Sequence, residues 1–148
     1  MNRRLFLKGT LASSAVMTAI SAGLLTPTRL LAASPKFKAK SDSLMDEIPN
    51  ALNGNFKLKA PKIAENGAVV PITIDARKMS GVEQISILVK NATASNLSAS
   101  FNLNGANGFV STRIKMGKSS PVYALVKANG KIYKKTKDIK VTIGGCGG

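Results

Sequence analysis

The 148-residue sequence predicts an all-β fold, an antiparallel β-sandwich of immunoglobulin-like size. Three observations carry this. Apolar residues recur with period two in run after run beyond residue 55. Gly, Asn and Pro turn signals separate those runs at short, regular intervals. The chain is 44% hydrophobic but only 5% aromatic, with no Trp, so its core must be aliphatic. Once an N-terminal address is set aside, about 115 residues remain, enough for one domain and not for two.

Before the strands, Ser34 to Lys40 reads as a loose basic leader. Ser41 to Ile48 then reads as one short helix. Ser41 is expected to cap it, with Asp42, Asp46 and Glu47 in its turns as the helix dipole prefers, and Leu44, Met45 and Ile48 on its buried face. Pro49 weakens its end.

Strands follow in order. Phe56, Leu58 and Ala60 alternate with Lys57 and Lys59, and Pro61 ends that strand. Glu65-Asn66-Gly67 is a turn. Val70, Ile72 and Ile74 share one face, and Ile85, Ile87 and Val89 another. Leu97 to Leu103 is a weaker strand with Phe101 and Leu103 inward. Val110, Thr112 and Ile114 follow, then Val122, Ala124 and Val126. Asn129-Gly130 between apolar runs is a hairpin signal, because both residues tolerate positive φ. The last strand runs from Ile132 through Ile139 and Val141 to Ile143. About seven strands result.

The N-terminus begins Met1-Asn2-Arg3-Arg4-Leu5-Phe6-Leu7-Lys8, a twin-arginine export pattern built on Arg3 and Arg4. Gly9 to Leu25 is too short and too diluted by Ser, Thr and Gly to be a stable membrane span. Cleavage is expected near Ala33, although Leu31 occupies the outer small-residue position. The expected division is therefore 1–33 signal peptide, 34–143 sandwich domain, 144–148 arm, with a periplasmic destination. The alternative is an uncleaved anchor helix. The twin-arginine route carries folded cargo. With no ligands for a metal cofactor in the chain, the remaining reason to take it is a partner chain exported together with this one.

Charge and missing residue types exclude much. Lys and Arg number 22 against 7 Asp and Glu, a net charge of +15. The signal segment holds Arg3, Arg4, Lys8 and Arg29 and no acid, so the mature domain keeps +11. Such a surface attracts anions. Its densest basic group is Lys131, Lys134, Lys135, Lys137 and Lys140. There is no His and one Cys. No intramolecular disulfide, zinc, haem or iron–sulfur site can be assembled, and no Ser-His or Cys-His pair. Nucleic acid is a poor partner outside the cytoplasm, for a chain without an aromatic stacking surface.

The single thiol is Cys146, in Gly144-Gly145-Cys146-Gly147-Gly148. The four glycines remove side-chain hindrance and widen backbone freedom. Three residues of extended chain span on the order of 10 Å. The sulfur can therefore reach into a narrow pocket of another protein. Lysines nearby favour the reactive thiolate and would hold an anionic adduct. An arm of this kind fixes neither a base nor an oxyanion site, so the chain is expected to be no enzyme but a carrier, as tethered cofactors are carried. Two rivals remain. One is a secreted adaptor sandwich whose tail cysteine makes an intermolecular disulfide. The other is a basic module that binds polyanions through Lys134, Lys135 and Lys137.

Four stretches resemble one family. They are the segment from Ala60-Pro61-Lys62-Ile63-Ala64 to Val69-Val70-Pro71-Ile72, Ser111-Thr112-Arg113-Ile114-Lys115-Met116, Gly130-Lys131-Ile132-Tyr133, and the tail Val141-Thr142-Ile143 with its glycine-flanked Cys146. Together with the twin-arginine signal they are similar to the SoxY family, the Y subunits of the sulfur carrier in thiosulfate oxidation. The resemblance implies an immunoglobulin-like fold and Cys146 as the covalent sulfur carrier, with no cofactor beyond the sulfur adducts themselves. It implies a heterodimer with a SoxZ-like subunit. It also implies three processing partners: a SoxAX-like cytochrome that joins thiosulfate to the cysteine, a SoxB-like hydrolase that releases sulfate, and in some organisms a SoxCD-like dehydrogenase. After Lys90-Asn91 the family pattern leads one to expect a proline-containing turn, and this chain has Ala92-Thr93-Ala94-Ser95 instead.

Overall fold

The computed structural model describes residues 35–90, 92 and 95–142. Among these residues one helix, α1 (Pro35–Glu47), precedes nine strands: β1 (Leu52–Asn53), β2 (Lys57–Lys59), β3 (Ile63–Ala64), β4 (Val70–Asp75), β5 (Val82–Val89), β6 (Leu97–Asn102), β7 (Phe109–Ile114), β8 (Ser120–Ala128) and β9 (Lys131–Val141). They build two sheets. The larger runs β1-β9-β8-β5-β6, with β3 also on β9, and the smaller runs β2-β4-β7. The all-β sandwich with one short helix is thus what the alternation foretold.

Seven of the nine strands are the expected ones. The other two, β1 and β3, have two residues each and offer no alternation to read. Both lie parallel to β9, with Leu52 opposite Tyr133 and Ile63 opposite Lys140. Between them they cover both ends of the free edge of an 11-residue strand, an edge that would otherwise offer its backbone groups to another chain.

The main core lies between the sheets and is aliphatic. Val70, Ile72 and Ile74 of β4 face Ile85, Ile87, Val122, Ala124 and Val126 across it, all with no exposed surface. A second, smaller cluster lies on the outer face of the large sheet, where Leu44 of α1 meets Leu88, Leu97 and Leu125. Strands β5 and β8 are therefore buried on both faces. This explains why Ile85 to Val89 is buried without alternation. Ile132 belongs to the helix-side cluster while Ile139 belongs to the main core. The two lie on opposite faces of β9.

The helix also differs from its expected form. It starts at Pro35, a residue suited to a first helical turn, so the segment expected to be a loose leader is helical. Ser41 sits in mid-helix and caps nothing. It is 1% exposed, and its Oγ accepts a hydrogen bond from the Leu97 amide at 3.1 Å. No acid occupies the first turn. Tertiary packing overrides the capping signal here, because the buried hydroxyl finds a long-range partner in a strand amide. Past the helix, the Ile48 carbonyl accepts from Lys134 Nζ at 2.7 Å. The Asn129-Gly130 hairpin is as expected, with φ of 49° and 73°.

Two substitutions separate the clusters. Ile72→Ala is expected to cost about 3 kcal/mol through the cavity it leaves between the sheets. Ser41→Ala should cost about 1 kcal/mol, since the Leu97 amide keeps a second acceptor in Ser95 Oγ. Urea unfolding of both variants checks the ranking.

Candidate functional site

The predicted carrier residues Gly144, Gly145, Cys146, Gly147 and Gly148 lie outside the described residues, as do the export residues Arg3 and Arg4. So do Asn91, Thr93 and Ala94 of the divergent loop. What the structure describes is the root from which the cysteine segment departs, the last turn of pairing at the end of β9.

That root is held from both sides. On one side, the Lys140 amide donates to the Lys62 carbonyl at 2.9 Å and the Thr142 amide to the Ala64 carbonyl at 3.1 Å. On the other, the Val141 amide donates to Ser119 Oγ at 2.9 Å. Ile139, two residues earlier, is 1% exposed in the core. Gly67 closes the arrangement. A Cβ there would collide with the Met116 carbonyl and stand 2.9 Å from Val141 Cγ1, so only glycine lets this turn lie against the strand end. The Met116 amide in turn donates to the Gly67 carbonyl at 2.7 Å. Backbone pairing therefore continues to Thr142, four residues before the thiol.

The basic cluster does not gather at the end of β9 from which the cysteine segment departs. Lys131 and Lys140 stand at opposite ends of β9, about 30 Å apart along an extended strand. Lys134 is committed to the Ile48 carbonyl. Lys135 lies 5.6 Å from the centre of the Phe56 ring. With Lys57 and Lys59 these two line an open groove between β2 and β9, well back from the root. At the root itself stand Lys140 and its neighbour Lys62, both exposed. Consecutive lysines looked like a patch in sequence because a strand's length is invisible there.

At the far end of β4 from the root, the Arg77 guanidinium donates to both carboxylate oxygens of Asp75, at 2.9 and 2.8 Å. These bonds hold the Asp75 carboxyl well below the usual carboxylate range. Arg77 also lies 5.0 Å over the Phe109 ring. This group is structural. Among the described residues no three His, Cys, Asp or Glu approach closely enough to hold a metal ion, and no helix is long and apolar enough to cross a membrane.

Sequence reading missed the partners of the root: Ser119, Gly67 and the two-residue strand at Ile63. The only available signal was that Lys62-Ile63 and Gly67 fall in a stretch that resembles the family.

The comparisons with known proteins set the chain among the proteins of sulfur oxidation. A family model described as sulfur oxidation protein SoxY matches residues 42–146, ending on the cysteine. The chain belongs to the SoxY family. The structure of the sulfur carrier protein SoxY from Chlorobium limicola f thiosulfatophilum is similar, with 34% identity and a TM-score of 0.55, over 71% of this chain and 98% of that one. No curated protein matches the chain.

Replacing Ser119 with Ala removes a partner of the Val141 amide. Hydrogen exchange at Val141 should then quicken several-fold while Val122 and Val126 in mid-sheet keep wild-type protection. Amide exchange followed by NMR reads both.

Proposed function

We propose that this chain is a periplasmic sulfur carrier in thiosulfate oxidation, holding its sulfur covalently on Cys146. The observation that carries this reading is that the family match runs to Cys146, the one thiol in the chain. The name of the similar Chlorobium protein, a sulfur carrier, supports it. The signal at Arg3 and Arg4 supports export through the twin-arginine route, with residues 1–33 removed and 34–143 forming the sandwich behind the arm 144–148.

The chemistry asked of Cys146 is modest. Its thiolate and thiosulfate join through a new S–S bond as two electrons leave to a cytochrome of the SoxAX kind. Water then cleaves the terminal sulfonate of that adduct as sulfate, with release of two protons, at a hydrolase of the SoxB kind. The remaining sulfane sulfur stays on the cysteine as a persulfide, for a SoxCD-like dehydrogenase where one exists. This chain supplies the nucleophile and its delivery. Gly144, Gly145, Gly147 and Gly148 keep the delivery slim, and Lys62 and Lys140 at the root favour the thiolate and its anionic adducts. Catalysis belongs to the partners. A SoxZ-like subunit completes the exported heterodimer.

Intact mass of the protein from cells grown on thiosulfate, before and after a thiol reductant, tests this. Increments of sulfur or thiosulfonate on Cys146, lost on reduction, are expected. A bare thiol, or a dimer linked through Cys146, would favour a disulfide adaptor instead. The Cys146→Ala chain should fold and keep its partner subunit while thiosulfate oxidation falls to background. Bulky residues at Gly144 and Gly145 should slow loading of Cys146 without changing the melting temperature.

A further inference from the structure

Four large hydrophobic side chains are left exposed among the described residues: Leu52 at 51%, Ile63 at 57%, Val69 at 49% and Phe109 at 45%. Lone exposed apolar groups are ordinary. Two of these have local explanations. Phe109 lies under the Arg77 guanidinium. Leu52 is in β1, beside Tyr133 near the start of β9, where it lines a groove against α1. The other two belong to the segment that clamps the arm's root. Ile63 is opposite Lys140, and the neighbouring Ala64 bonds Thr142. Val69 closes the turn that starts at Asn66, donating its amide to the Asn66 carbonyl at 3.4 Å, and Gly67 within that turn rests against Val141.

We propose that Ile63 and Val69 form the seat for the enzyme that receives Cys146, an apolar contact made by the rim of its pocket. This rests on the carrier reading of the cysteine. The argument is one of chain length. From Thr142, held in the sheet, four residue steps lead to Cys146, at most about 14 Å of extended chain. Ile63 and Ala64 lie on the strand next to β9, about 5 Å from it. A pocket that takes the thiol any distance below its own surface uses up most of that length. Its rim must then come down onto the residues around Thr142, among them Ile63 opposite Lys140, the neighbouring Lys62, and the turn against Val141 that Val69 closes. The occupant is therefore a protein with an apolar rim around a cleft that accepts an anionic sulfur adduct. The two lysines match the charge of that adduct. The apolar pair supplies contact energy that is independent of which adduct is carried, so that one surface can serve successive enzymes.

The test uses the exported chain together with its partner subunit, and the thiosulfate-coupling cytochrome purified from the same cells. Loading of Cys146 is followed by intact mass over a range of carrier concentrations. The double variant Ile63→Ser, Val69→Ser is expected to raise KM for the carrier about tenfold with kcat unchanged. Its Cys146 should react with a small aromatic disulfide at the wild-type rate, because the arm itself is untouched. The milder pair Ile63→Ala, Val69→Ala should shift KM in the same direction, and both variants should keep the wild-type melting temperature. A wild-type KM in variants that fold normally overturns the proposal. So does loss of the partner subunit from the variants, which would assign this surface to that subunit. If the wild-type chain takes up no sulfur at all, the carrier reading itself fails.

Discussion

Strand β9 is the constraint on which the rest of the structure depends. It pairs with β8 from Lys131 to Ile139, and two short parallel strands bond the ends of its other edge. An isolated edge strand frays at its end, because half its backbone groups find only water. This one is bonded on both sides near its end, through Lys140 and Thr142 on one edge and Val141 on the other. A chain that must present a group beyond its last strand gains from that arrangement. The point of departure is set by hydrogen bonds and by the buried Ile139, not by the tail.

The same strand ties the helix to the sandwich. Lys134 reaches the carbonyl that follows α1, and Ile132 packs with Leu44 and Leu125 on the outer face of the large sheet. Burying the sheet on two faces calls for apolar residues on both faces at Ile87 to Val89 of β5 and Ala124 to Val126 of β8, and it draws Ser41 into the interior, where it accepts from the Leu97 amide. With few aromatic residues, the fold reaches close packing through many aliphatic side chains of similar size. Ile72, Ile74, Ile85 and Ile87 bear most of that burden in the main core.

Charge is arranged by the geometry of strands. The five lysines of β9 are spread along a strand about 30 Å long. Some are structural, as at Lys134 and Lys135, and Lys140 alone stands at the root beside Lys62. The positive charge held at the end of β9 is therefore local and small in number. Long-range attraction from the net charge of the whole domain remains, and it is screened within about 8 Å at physiological salt.

Much was determined by the sequence alone. The period-two runs from Val70 onward disclosed the sheets, because alternation reports a buried face directly, as at Val70, Ile72 and Ile74, although Ile85 to Val89 proved to be buried on both faces. Asn129-Gly130 disclosed its hairpin, because few residue pairs accept two positive φ values. The glycine-flanked Cys146 and the resemblance around it disclosed the family. Tertiary structure alone decided the rest. It carried the helix back to Pro35 and turned Ser41 from a cap into a buried acceptor, since a long-range partner outweighs a local signal. It created β1 and β3, whose two residues hold no period. It placed Gly67, Ser119 and Ile63 around the end of β9, residues separated by up to 56 positions in the chain and joined only by the closing of the sandwich.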